Sequence, residues 1–326
     1  MTGTTATTGT TRSPAALFEA ARGGDRAAVA RLLSLIERGG DEASEIGRLA
    51  YPLAGGAYTV GLTGAPGAGK STLTNGLIGH LRSQDIEVAA LAIDPSSPFT
   101  GGAILGDRVR MQEHATDPGV FIRSMATRGH LGGLSLATPQ AVRLLDAMGR
   151  RWILVETVGV GQVEVEIAGK ADTTVVVVNP GWGDSVQANK AGLMEIADVF
   201  VINKADRKGV DDTRRDLEQM LELSDLAHDA WHAPIIAVVA TTGDGIDVLW
   251  KTVLEHREHA MATGVLERRR AFRLREELRE IVARRLELRA RELTTGARWE
   301  ALQQSVTDRA TDPWTAADEM LGSIGA

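Results

Sequence analysis

The tract Gly64-Ala65-Pro66-Gly67-Ala68-Gly69-Lys70-Ser71-Thr72 fills every fixed position of the pattern G-x-x-x-x-G-K-[ST]. Each residue type has a chemical reason to be there. Glycines let successive backbone N–H groups turn toward one centre and approach an anion closely, and a following helix N-terminus adds partial positive charge. Lys70 can reach the outer phosphates of a nucleotide, and the Ser71 hydroxyl can hold a magnesium ion. The flanking elements strengthen the pattern. Tyr58-Thr59-Val60-Gly61-Leu62-Thr63 reads as a buried strand, and residues 71–82 carry Leu73, Leu77, Ile78 and Leu81 at helical spacing. A strand–loop–helix cradle for phosphate is expected.

A second motif bears on the base. Val199-Phe200-Val201-Ile202 reads as a buried strand ending in Asn203-Lys204-Ala205-Asp206, an N-K-x-D arrangement that resembles the guanine-reading element of GTPases. A carboxylate at Asp206 can accept from both the ring N–H and the exocyclic amino group of guanine, and such a two-pronged charged contact is strong. Adenine lacks that donor pair and would leave the carboxylate unpaired. Two more carboxylates fall at strand ends. Ile93-Asp94 closes the strand after the P-loop helix, and Val155-Glu156-Thr157-Val158-Gly159 closes a later one, where GTPases usually carry D-x-x-G. Either could orient magnesium, directly or through its waters. Val160 stands where Ras-like enzymes place a water-orienting glutamine, so hydrolysis is expected to be slow without help.

With 326 residues, 43% hydrophobic, 24% charged and a formal net charge of -7, the chain can bury a large domain with appendages, and its acidity argues against general nucleic-acid binding. Cysteine is absent, which excludes disulfides and thiolate metal sites. No stretch approaches the roughly 20 apolar residues of a membrane span, and no signal-peptide core opens the chain. A soluble cytoplasmic enzyme without membrane or nucleic-acid partners is expected. Residues 1–13 read as a disordered Thr/Gly-rich tail and 14–54 as a helical region, with Ser13 and Asp25 as caps and Gly39-Gly40 as a stop. Residues 55–263 carry apolar runs at 87–93, 120–125, 152–155, 173–178, 198–202 and 234–239 between helical segments. This pattern predicts an α/β fold, a mostly parallel sheet flanked by helices. Residues 264–326 turn Arg- and Glu-rich and helical, with Leu274, Leu278, Ile281, Val282 and Leu286 on one face, a stripe that suits a partner. The run Arg268-Arg269-Arg270 is diluted by Glu276, Glu277, Glu280 and Glu287, and reads as an exposed, salt-bridged helix.

Three blocks carry a more specific resemblance. Asp94-Pro95-Ser96-Ser97-Pro98-Phe99-Thr100-Gly101-Gly102-Ala103-Ile104-Leu105-Gly106-Asp107-Arg108, Phe121-Ile122-Arg123-Ser124-Met125-Ala126-Thr127-Arg128-Gly129 and Glu156-Thr157-Val158-Gly159-Val160-Gly161-Gln162 are similar to the methylmalonyl-CoA mutase-associated GTPases, the MeaB or ArgK type within the SIMIBI class. The resemblance covers most of residues 14–270. It implies an enzyme that binds GTP and GDP with Mg2+ and serves as chaperone of an adenosylcobalamin-dependent acyl-CoA mutase, with the adenosylcobalamin on the partner. It also implies a homodimer held through the C-terminal helices. Nucleotide contacts are implied for Gly64 through Thr72, for Asn203, Lys204 and Asp206, and for the last guanine-contact loop, Val239-Ala240-Thr241, through backbone N–H groups. Magnesium is implied at Ser71, Asp94, Asp107 and Glu156, and catalytic roles at Lys70, Glu156 and Lys190, the last in a third switch over 180–190. Two positions depart from the family's habit: Val239 and Val163 each stand where serine is common. A metal-insertion GTPase would need paired Cys/His ligands and a P-loop kinase a phosphoacceptor base; the sequence presents a motif for neither.

Overall fold

The computed structural model describes residues 12–94, 112–114, 116–126, 133–157, 170–181, 195–222 and 231–322. Capping chemistry sets its first helices. Ser13 Oγ accepts from the Ala16 N–H and Pro14 opens α1 (Pro14–Arg22). Asp25 accepts from the N–H groups of Ala27 and Ala28 and opens α2 (Arg26–Arg38), as the sequence predicts. Gly39 ends α2, and Gly40 already begins α3 (Gly40–Ala50).

Seven strands follow among the described residues: β1 (Tyr58–Gly64), β2 (Val88–Asp94), β3 (Val120–Ala126), β4 (Trp152–Thr157), β5 (Thr173–Val178), β6 (Val199–Asn203) and β7 (Ile235–Val238). All pair in parallel, in the order β3-β2-β4-β1-β5-β6-β7. Helices α4 (Lys70–Ser83), α5 (Gly133–Ala147), α6 (Val210–Glu222) and α7 (Ile246–Ala262) pack on the faces. Successive strand residues point to opposite sides. Ala89, Leu91, Ile93, Ile153 and Val155 thus meet α1, α2, α3 and α5, while Val88, Ala90, Val60, Leu62 and Leu154 meet α4 and α7. Both faces are buried, which is why the strands read as unbroken apolar runs.

Several strands extend past their apolar runs by one or two residues. β1 reaches Gly64, β2 Asp94, β3 Ala126, β4 Thr157 and β6 Asn203. The ladder is made by backbone groups, so it continues into the polar residues at the sheet's C-terminal edge, which the hydrophobic pattern does not mark. The outer strands are also finished off. Arg26 of α2 donates to the Val120 carbonyl of β3 at 2.6 Å, and Arg214 of α6 donates to the Ile235 carbonyl of β7 at 2.9 Å.

Buried charge secures the opposite, N-terminal edge of the sheet. Asp172, just before β5, accepts from the Thr59 N–H at 3.0 Å and from Arg270 Nη2 at 2.6 Å and Nε at 3.1 Å. Asp198, just before β6, accepts from the Thr174 N–H at 2.8 Å and Arg269 Nη1 at 3.0 Å, with His256 Nε2 at 3.2 Å. Burial opposes the Asp198 charge, yet His256, Arg269 and the backbone donor hold its carboxyl below the ordinary range. Tyr58 OH shares a 2.8 Å hydrogen bond with Thr173 Oγ1, and burial pushes its phenol up to about 12.

Arg269 and Arg270 sit in the opening turns of α8 (Val265–Leu293), so two of the three arginines expected on a salt-bridged surface instead neutralise buried carboxylates. Leu266 is buried with the residues around α7. The chain divides into two compact units, one ending at Ala271 and the other beginning at Phe272. The second unit contains the rest of α8, α9 (Ala297–Thr307) and α10 (Pro313–Leu321), with Leu302, Ala316 and Met320 as its small core. The expected stripe on α8 is exposed at Leu274, Leu278, Val282 and Leu286. Among the described residues, no helix is long and apolar enough to cross a membrane.

Candidate functional site

Strand β1 lies between β4 and β5, so the chain reverses its direction of winding there. Crevices at such a point, beyond the C-terminal strand ends, are where open parallel sheets bind ligands. Gly64 ends β1 at this crevice and Lys70 opens α4. The cap of α4 is Gly69, which contributes no side-chain cap, and the first turn of the helix opens toward the crevice with Lys70, Ser71 and Thr72. Gly69 has φ 88°, and a Cβ there would collide with the Asn203 amide. Only glycine suits both demands. The Lys70 ammonium is buried and donates to the carbonyls of Gly64 at 2.8 Å and Ala65 at 3.1 Å, across the loop's own span. Pro66 and Gly67 are exposed at the apex, and Ala68 is buried beneath it.

Beside the loop, Ser71 Oγ donates to Glu156 Oε1 at 2.5 Å. Glu156 is 1% exposed and lies in β4, one residue before the strand's end, past the apolar run at 152–155. A hydroxyl that gives its proton to a carboxylate keeps lone pairs for a cation. These are the hard oxygen donors magnesium prefers, too few to enclose it, so the ion would keep waters and phosphate oxygens. Residues and ion therefore fit. Asp94 ends β2 opposite Ala126, and its backbone lies at the same sheet edge. Its side chain lies outside the described residues, as do Asp107, Val160, Val163 and Lys190.

Asn203 binds the separate motifs together. It is 2% exposed and donates through Nδ2 to the Ala68 carbonyl at 2.7 Å, while its Oδ1 accepts from the N–H groups of Lys204 at 2.8 Å and Ala240 at 3.1 Å. One amide thus joins the P-loop, the N-K-x-D segment and the loop that follows β7. Lys204 adds a bond from Nζ to the Gly67 carbonyl at 2.7 Å, and Ala205 N–H donates to Val238 O at 3.1 Å. Asp206 is exposed on the same loop. Val239 and Thr241 flank Ala240 just past β7. Sequence reasoning passed over Asn179, whose Nδ2 lies 3.4 Å from the Gly67 carbonyl. The available signal was positional: like Asn203, it is the first polar residue after an apolar run.

A model of the family described as methylmalonyl-CoA mutase-associated GTPase MeaB matches residues 29–295. The chain belongs to that family. Proteins similar to it include a Pyrococcus abyssi protein named as a GTPase, 51% identical over 310 residues, covering 94% of this chain and 96% of its own. GTPase ArgK of Escherichia coli is 37% identical over 253 residues, 76% of each chain. The mouse mitochondrial methylmalonic aciduria type A homolog is 38% identical over 216 residues, 65% of this chain and 52% of its own. A crystal structure titled LAO/AO transport system kinase superposes with a TM-score of 0.69 at 26% identity, covering 96% and 98% of the two chains. As a MeaB-family P-loop GTPase, this chain binds GTP and hydrolyses it. Among the described residues of this family member, no group of three His, Cys, Asp or Glu side chains could hold a metal ion.

Proposed function

We propose that this GTPase is a guanine-specific, magnesium-dependent chaperone of an adenosylcobalamin-dependent acyl-CoA mutase, and that it gates entry of the intact cofactor and exit of the damaged one. The observation that carries the guanine part is the Asn203 junction, which places exposed Asp206 on a loop bonded directly to the phosphate cradle. The family name supports the mutase part.

In this reading the N–H groups at the start of α4 receive the phosphates, Lys70 exchanges its loop carbonyls for outer phosphate oxygens, and Asp206 reads the base. Ser71 and Glu156, with Asp94 and Asp107, would hold Mg2+ or its waters. When bound, the ion neutralises charge on the leaving and transferred phosphates. Lys190 supplies a further cation when the mutase presses on its loop, and the stripe on α8 joins two copies. In this reading the chain works in the cytoplasm beside its mutase.

Calorimetry tests the guanine part. GTP should bind far more tightly than ATP, and Asp206→Ala should lose about 1.5–3 kcal/mol per charged bond removed. Equal affinities in the parent protein would defeat it. For the chaperone part, GTP turnover is measured with and without the mutase that copurifies from the native cell. Acceleration by orders of magnitude is expected, in the range of about 10³–10⁵ that supplied cations reach elsewhere. Lys190→Ala should abolish that acceleration while sparing GTP affinity; full retention would remove Lys190 from the mechanism.

A further inference from the structure

The Val239 departure poses a physical question: what holds the base loop in place without a serine hydroxyl? The backbone supplies part of the answer. Val239 forms an antiparallel bridge with Asp244, its N–H donating to the Asp244 carbonyl at 3.0 Å, and its own carbonyl accepts from the N–H groups of Thr242 at 3.1 Å and Gly243 at 3.0 Å. Gly245, with φ 80°, passes so close to the Ala237 carbonyl that a Cβ would overlap it. A turn leaving through glycine gains freedom that something must remove. Thr242 Oγ1 lies 2.7 Å from Asp244 Oδ2 and 3.2 Å from the Val239 carbonyl. A hydroxyl has one proton, and the nearer, charged acceptor takes it.

The consequence concerns the tip of the turn. The Val239 N–H is taken by the Asp244 carbonyl, and the Ala240 N–H already donates to Asn203 Oδ1. The next is that of Thr241, an exposed residue whose N–H has no acceptor among the described residues. On guanine, the 6-carbonyl is adjacent to the ring N–H that Asp206 reads, so it must face the loop bonded to Asn203. We infer that Thr242 and Asp244 are positioning residues for guanine recognition: their side-chain bond holds the turn so that the Thr241 N–H, and not that of Ala240, meets the guanine 6-oxygen. This rests on the guanine-reading role of Asp206.

The test uses the full chain and three nucleotides. GTP presents both contacts, inosine triphosphate keeps the 6-carbonyl but lacks the 2-amino group read by Asp206, and 6-thio-GTP keeps the Asp206 contacts but offers a poor acceptor at position 6. Asp244→Ala is expected to weaken GTP and inosine triphosphate alike by about three- to tenfold, the scale of one neutral hydrogen bond, and 6-thio-GTP hardly at all. Thr242→Val should do the same, whereas Asp244→Asn and Thr242→Ser, which keep the bond, should restore parent behaviour. Equal weakening of all three nucleotides would mean a merely structural role, and no weakening would mean no role; either overturns the inference while GTP preference in the parent stands. A parent protein that binds GTP no better than ATP would instead overturn the Asp206 reading and this one with it.

Discussion

At Asn203 a single buried amide serves three loops, so its loss should be felt beyond its own strand. Asn203→Ala leaves the Ala68 carbonyl and the Ala240 N–H without these bonds, and each buried group so abandoned costs about 1–3 kcal/mol. Lower thermal stability and weaker GDP binding should appear together; Asn203→Asp, which keeps the acceptor for Ala240, should lie between variant and parent. Melting curves with and without GDP decide it, and an unchanged melt would deny the junction its role. Tyr58 gives a pH prediction. Its phenol titrates near 10 in the unfolded chain and at about 12 in the fold, so the fold retains its proton longer. The stabilisation is complete below pH 10 and is lost as pH rises through 12. Urea midpoints from pH 9 to 12 should fall more steeply for the parent than for Tyr58→Phe; parallel curves would rule this out.

Among elements, the sheet edge opposite the nucleotide site is the sharpest case. Arg270→Met would remove the guanidinium that neutralises Asp172, 2% exposed, and breaking such a pair costs about 3–5 kcal/mol. Adding Asp172→Asn should recover much of that loss in urea unfolding, and failure to recover would show that the arginine acts by packing alone. These pairs also mark what the sequence could and could not reveal. The P-loop, the caps at Ser13 and Asp25 and the apolar runs of β1 to β7 were legible because each signal is local: a spacing, a cap, a run. The partner of Arg270 lies 98 residues away, and an arginine at a helix start looks the same whether it meets water or a buried carboxylate. Glu156 was legible as a strand-end carboxylate, and only the last residue of β4, Thr157, lay beyond what the pattern marked, since the ladder outlasts the hydrophobic run. The junction at Asn203 was half visible; its motif was plain, but its bonds to Ala68 and Ala240 depend on strand order.

For the whole molecule, the unit boundary changes where the chain can be cut. A truncation after Ala271 retains Leu266, Arg269 and Arg270 and should give a folded, monomeric, nucleotide-binding domain. One ending at Thr263 removes the arginines that neutralise Asp172 and Asp198 and should be markedly less stable. Sedimentation and GDP-dependent melting of both fragments test this; a dimeric longer fragment would move the association surface off the C-terminal unit. The finished outer strands bear on a different hazard. A row of parallel strands has no natural last member, because each border offers the same unpaired groups that recruited the strand before it. Arg26 and Arg214, by occupying carbonyls on the two border strands, act as chain terminators in the polymer chemist's sense: they stop a sheet from growing into its neighbours in a crowded cell.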